Sequence, residues 1–214
     1  MPTKKRTRAP ARKSRQQRKR AAPRPAPAAA EAKTTIRRLR GELAGALRKI
    51  EELQASADTD FLLGIPNRRG FERELARALA YIKRYRAAGA LVVLDVDRLK
   101  PINDAFGHAA GDQVLKAIVA VLTSQVRSSD IVGRLGGDEF ALLLWNLGEA
   151  DAKAKAAALE DTIDRLTFQF GGSMITAGAS AGVAMLGSHT ELSRALEEAD
   201  SAMYLRKAQR RHEG

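Results

Sequence analysis

The chain has 214 residues and no cysteine, which excludes a disulfide framework and a thiolate metal site. No apolar run is long enough to span a bilayer, and the N-terminus lacks the apolar core of a signal peptide, so a soluble cytoplasmic protein of one ordinary domain plus extensions is expected. The formal charge of +12 is uneven: residues 1–30 hold eleven Lys/Arg and no acid, leaving 26 basic against 25 acidic residues from Glu31 onward.

Residues 1–30 run from a Lys/Arg cluster into "AAPRPAPAAA" and have almost no large apolar side chain. Such a segment cannot repay its ordering entropy, and disorder is expected. A solubilising tail is the simplest reading. The alternative is electrostatic contact with an acidic surface, a nucleic acid or an anionic membrane, and on that reading the protein is an adaptor working through its tail. No aromatic residues interleave the charges to support base stacking.

Over residues 31–57, apolar residues fall at Ile36, Leu39, Leu43, Ala46, Ile50, Leu53 and Ala57. The alternating spacing of three and four is a heptad seam, and Ile at a with Leu at d favours a parallel two-stranded coiled coil. A helix packed on its own domain is the competing reading. Gly41 and Gly45 weaken the isolated helix.

A domain over 58–214 is expected next. Phe71, Leu75, Ala78, Leu79 and Ile82 share one helical face, with Asn67 as N-cap. "ALVVLDVD" reads as a buried strand ending in acids, and "GDQVLKAIVAVLTSQV" as an amphipathic helix. "DIVGRLGGDEFALLLW" reads as a hairpin. Ala152, Ala156, Leu159, Ile163 and Leu166 mark a helix, "MITAGASAGVAML" one small-residue strand, and Leu192, Leu196, Ala199 and Met203 a closing helix. The order α, β, α, α, β, β, α, β, α predicts an α+β fold with a ferredoxin-like sheet and packed helices.

Two pairs of acids stand out. Asp95 and Asp97 are two apart on a strand, so both project to one side, and hard divalent cations favour such oxygen donors. Asp138 and Glu139 sit side by side at a glycine turn, where their repulsion would be relieved by a cation. Either pair alone also fits an ordinary solvated turn.

Taken together, four segments resemble the GGDEF family of diguanylate cyclases: "DFLLGIPNRRGF" (60–71), "DVDRLKPINDAFGHAAGD" (95–112), "RSSDIVGRLGGDEF" (127–140) and "ADSAMYLRKAQRR" (199–211). The resemblance implies a nucleotide-cyclase-type fold and the Mg²⁺-dependent condensation of two GTP into cyclic di-GMP and two pyrophosphates, with Mn²⁺ as an alternative metal. It implies metal ligation by Asp95, Asp138 and the Val96 carbonyl. Glu139 becomes a metal-site acid or the proton acceptor, and Lys100 a phosphate contact that stabilises developing charge. Asn103, His108 and Asp112 fall in the guanine segment, and Lys207 and Arg211 become a phosphate-binding pair. Arg127 and Asp130, in an R-x-x-D arrangement, match the family's inhibitory site for product; by themselves they also fit a helix-end salt bridge. Two half-sites must meet, which gives the heptad segment a role in a homodimer. A catalytically silent receptor for cyclic di-GMP or GTP is the runner-up.

The sequence departs from the family pattern at Leu63 (usually Thr), Leu99 (commonly Phe), Pro101, Arg206 (usually Ala) and Arg210 (usually Gly). None of these removes an implied metal ligand.

Overall fold

The structure, a computed structural model, describes residues 27–213. The disordered-tail expectation for the basic segment therefore falls largely outside the described residues. The described residues divide into two units, with the boundary between residues 48 and 49. Helix α1 (Pro27–Ala57) includes the whole heptad segment and starts four residues earlier than the expected boundary. On it Ile36, Leu39 and Leu43 are about half exposed or more. Among the described residues no helix is long and apolar enough to cross a membrane.

The second unit is built on a four-stranded antiparallel sheet of β1 (Gly89–Asp97), β2 (Ile131–Gly136), β3 (Glu139–Trp145) and β6 (Gly178–Leu186), ordered β2-β3-β1-β6. This is the ferredoxin-like order. Strand β1 is central, and its alternation serves two cores. Val92, Leu94 and Val96 face one cluster with Val114, Ile118 and Leu122 of α4 (His108–Ser124) and Leu159 and Ile163 of α5 (Glu149–Asp164). Leu91 and Val93 face the other cluster, with Phe71, Leu75 and Ile82 of α2 (Arg68–Tyr85) and Ala195, Ala199 and Met203 of α6 (Leu192–Glu213). The expected α2 face is buried in full, and Asn67 caps it by accepting from the Gly70 amide at 3.0 Å.

One expected strand is two. "MITAGASAGVAML" breaks at Ala177, giving β5 (Ser173–Thr176) and β6, and β5 pairs with β4 (Thr167–Phe170) as a separate hairpin. The Gly171-Gly172 turn has φ of 54° and 84°, which suits a tight two-residue hairpin. Its ring Phe170 lies 5.9 Å from Phe106 of α3 (Leu99–Phe106), so the hairpin braces the helix that follows β1.

Candidate active site

The site forms where β1 ends against the β2–β3 turn. Asp95 stands opposite Glu139 on one side and Ser180 on the other, and the Val96 amide donates to the Asp138 carbonyl at 3.0 Å. Val96 is buried toward α4 and α5, so Asp95 and Asp97 alternate to the face that carries α6. There Lys207 bonds to the Asp95 carboxylate, with Asp97 3.9 Å from the same ammonium. Ser180 donates its hydroxyl to Asp97 at 3.1 Å. Arg98, in a left-handed conformation (φ 68°), then turns the chain sharply into α3.

The glycine turn is held from outside. Arg134 of β2 donates to the Gly137 carbonyl at 2.6 and 3.1 Å and pairs with Asp60 at 3.0 Å. Asp60 in turn accepts the Leu62 and Leu63 amides. Arg68 donates to the Leu135 carbonyl at 2.7 Å and reaches Glu139 at 3.4 Å. The opening segment is therefore a brace that fixes where Asp138 and Glu139 point. The sequence analysis assigns no role to Asp60, Arg68 or Arg134; the legible signal is an arginine within the otherwise uncharged strand β2.

A cleft of about 640 Å³ opens beside these groups. Val96, Lys100, Asp138, Lys207 and Arg211 line it, together with Asp97, Arg98, Asp164 and Arg210. Asp95 does not line the cleft itself but bonds to Lys207, which does. Burial raises the Asp95 carboxyl above its usual range; Lys207 opposes the shift, while Asp138 and Asp97 add to it. Among the described residues no three acidic or histidine side chains form a ready metal cage. Asp95, Asp138 and the Val96 carbonyl are hard oxygen donors nonetheless. Few protein ligands completed by phosphate oxygens is how Mg²⁺ is commonly held.

Other expected site residues lie outside the cleft lining. Glu139 faces Arg68. Asn103 packs across Gly111, where any Cβ would strike its amide, and its Oδ1 is buried without a hydrogen-bond partner. His108 is exposed at the start of α4, and Asp112 is half-buried one turn on. Asp130 is a loop organiser: it accepts the Arg127 amide at 2.9 Å and the Trp145 amide at 3.1 Å. The Arg127 side chain is exposed.

Comparison with known proteins decides the family. The model of the diguanylate cyclase GGDEF domain matches residues 57–213. The chain belongs to the GGDEF-domain family. This GGDEF domain is 41% identical over 161 residues to diguanylate cyclase TpbB of Pseudomonas aeruginosa, covering 74% of the chain and 37% of that relative. It is 35% identical over 161 residues to probable diguanylate cyclase DgcE of Escherichia coli K12, covering 75% of the chain and 15% of that relative. The chain thus spans well under half the length of these relatives. Among solved structures, the isolated GGDEF domain of TpbB superposes with a TM-score of 0.66 at 40% identity, covering 71% of this chain and 89% of that one. The GGDEF domain of DgcB from Caulobacter crescentus, solved in complex with c-di-GMP, gives 0.69 at 27% identity, covering 72% and 91%.

Proposed function

We propose that this GGDEF domain is a diguanylate cyclase that condenses two GTP into cyclic di-GMP and two pyrophosphates. The observation that carries the reading is one cleft lined by Asp138, Lys100, Lys207 and Arg211, with Asp95 bonded to Lys207. Acids that suit a divalent cation and bases that suit a triphosphate meet at the end of one strand.

In this reading Asp95, Asp138 and the Val96 carbonyl hold Mg²⁺, with Mn²⁺ as the alternative. When bound, the metal neutralises charge on the phosphates. Lys100 and Arg211 bind phosphate oxygens, and Lys207 exchanges its bond to Asp95 for one to phosphate. The unpartnered Asn103 Oδ1 accepts from a guanine N–H group, with His108 and Asp112 completing that subsite. The 3′-oxygen of one GTP bonds to the α-phosphorus of the other while the bond to the β-phosphate oxygen breaks and pyrophosphate leaves. Glu139 takes the hydroxyl proton. A second condensation in the opposite sense closes the ring.

Each subunit holds one GTP, so the active form is a dimer. The half-exposed Ile36, Leu39 and Leu43 of α1 support a dimerisation helix over 31–57, ahead of a cyclase domain over 58–214 and behind a basic tail. Arg127, exposed beside a loop fixed by Asp130, binds cyclic di-GMP and limits turnover, presenting a planar fork to phosphate or guanine. The reaction uses cytoplasmic GTP.

Incubating the purified protein with GTP and Mg²⁺ tests the proposal. Cyclic di-GMP accumulates, and Arg127→Ala raises the level reached. Tight binding of cyclic di-GMP with no synthesis in either protein would establish the receptor reading instead.

A further inference from the structure

Arg206 and Arg210 depart from the family pattern, and both reach around an edge of the sheet. Strand β6 is an edge strand, with α5 in one core layer and α6 in the other. Glu160 of α5 is buried and accepts the Ala181 amide of β6 at 2.7 Å, satisfying an edge donor. Arg206 of α6 meets the same carboxylate at 3.0 Å. One turn on, Arg210 donates to both Asp164 oxygens at 2.8 Å and lies 3.7 Å from Asp97 and from Glu160. Its guanidinium is thus flanked by three carboxylates, from α5 and from the end of β1.

Gly178 leaves the room this requires. A Cβ there would come within 3.2 Å of Asp164 and 3.4 Å of Arg210. Arg210 and Asp164 both line the cleft, and Arg210 stands three residues after Lys207 and next to Arg211.

We propose that Arg210 is a positioning residue for the triphosphate: clamped by Asp164, it locks the turn of α6 that presents Lys207 and Arg211 to the cleft. The inference rests on the reading of the cleft as a GTP site. Arg210 acts through its neighbours, because its own donors face carboxylates.

The test is binding of 3′-deoxy-GTP with Mg²⁺ by equilibrium dialysis; this analogue lacks the attacking hydroxyl and is not consumed. Arg210→Gln and Asp164→Asn each weaken it about tenfold, or ~1.4 kcal/mol. In turnover the same variants raise KM for GTP in proportion and hold kcat within about twofold, the mark of lost binding without lost chemistry. Asp164→Asn decides the matter. If Arg210 merely supplied charge, removing an acid beside it would tighten binding. Binding by Asp164→Asn equal to or tighter than wild type overturns the proposal, as does an Arg210→Gln variant that loses melting temperature but no affinity. Arg210→Lys, which keeps the charge but loses the fork, falls between wild type and Arg210→Gln, and it substitutes for Arg210→Gln should that variant not fold. A wild type that binds the analogue, while neither it nor Arg127→Ala makes cyclic di-GMP, removes the cyclase reading and leaves the comparison of variants intact. A wild type that binds no analogue overturns both.

Discussion

Lys207 of α6 bonds directly to the Asp95 carboxylate at the end of β1, 112 residues away in the chain. A lysine thus supplies positive charge where a nucleotide-bound cation is proposed to sit. Its neighbour Asp97 and the nearby Asp138 make the exchange electrostatically reasonable, because three acids there are only partly compensated.

Acid pH is one way to test this. The Asp95 carboxyl is raised mainly by burial, so the folded protein holds that proton more tightly than the unfolded chain does. Just above the ordinary value of 3.8 the folded state therefore binds more protons, and this group's contribution to stability falls as pH rises through its raised pKa. At neutral pH the charged Asp95 is a standing cost. Asp95→Asn raises the melting temperature of the nucleotide-free protein at pH 7 while ending turnover. The acid limb of kcat/KM lies above the usual aspartate range, and Lys207→Gln moves it higher still. A melting temperature that falls in Asp95→Asn would contradict the assignment.

The brace around the glycine turn makes a second prediction. Arg134 and Asp60 are both mostly buried, with side chains 16% and 13% exposed. Arg134→Ala leaves Asp60 without its cation and frees the Gly137 carbonyl. Urea denaturation registers a loss of about 2–4 kcal/mol, and amide exchange in Gly136–Glu139 accelerates. Unchanged exchange in the turn would show that the hairpin holds itself.

Gly182 of β6 predicts a third effect. A Cβ there would run into the backbone of α6 at Ala199, Ala202 and Met203, which cannot yield as a side chain tip can. Gly182→Ala therefore displaces α6, and Lys207 and Arg211 with it. The expected cost is about 1–3 kcal/mol of stability, together with a rise in KM for GTP. A fully stable Gly182→Ala variant with native KM would mean that α6 is not seated as described.

The small-residue run around Gly182 shows how much of this was legible. Within "MITAGASAGVAML", which reads as one small-residue strand, "GASAGVAML" is the part that forms β6, and Asp95 and Asp138 are visible as acids at strand and turn ends. The β4–β5 hairpin is not evident from the small-residue run, which hides the break at Ala177, although Gly171-Gly172 between "TFQF" and "SMIT" carries a turn signal. The Arg206–Glu160 and Arg210–Asp164 pairs join residues 46 positions apart around a sheet edge. No periodicity marks such pairs, so only the fold brings them together. The Arg127–Asp130 salt bridge considered as an alternative is replaced by backbone amides bonded to Asp130.

Dilution tests the dimer. Removing residues 1–57 deletes α1, and activity per subunit then falls steeply with dilution, because the second half-site is no longer tethered nearby. A monomeric truncation with undiminished specific activity would remove the role given to α1.

Whether the domain is a cyclase is read from the stoichiometry of product formation with α-phosphate-labelled GTP and Mg²⁺. Label enters cyclic di-GMP with two pyrophosphates released per molecule formed, and Asp138→Ala abolishes both while melting cooperatively as a folded protein. Pyrophosphate release without labelled cyclic di-GMP, or no consumption of GTP by wild type and Arg127→Ala alike, would contradict it.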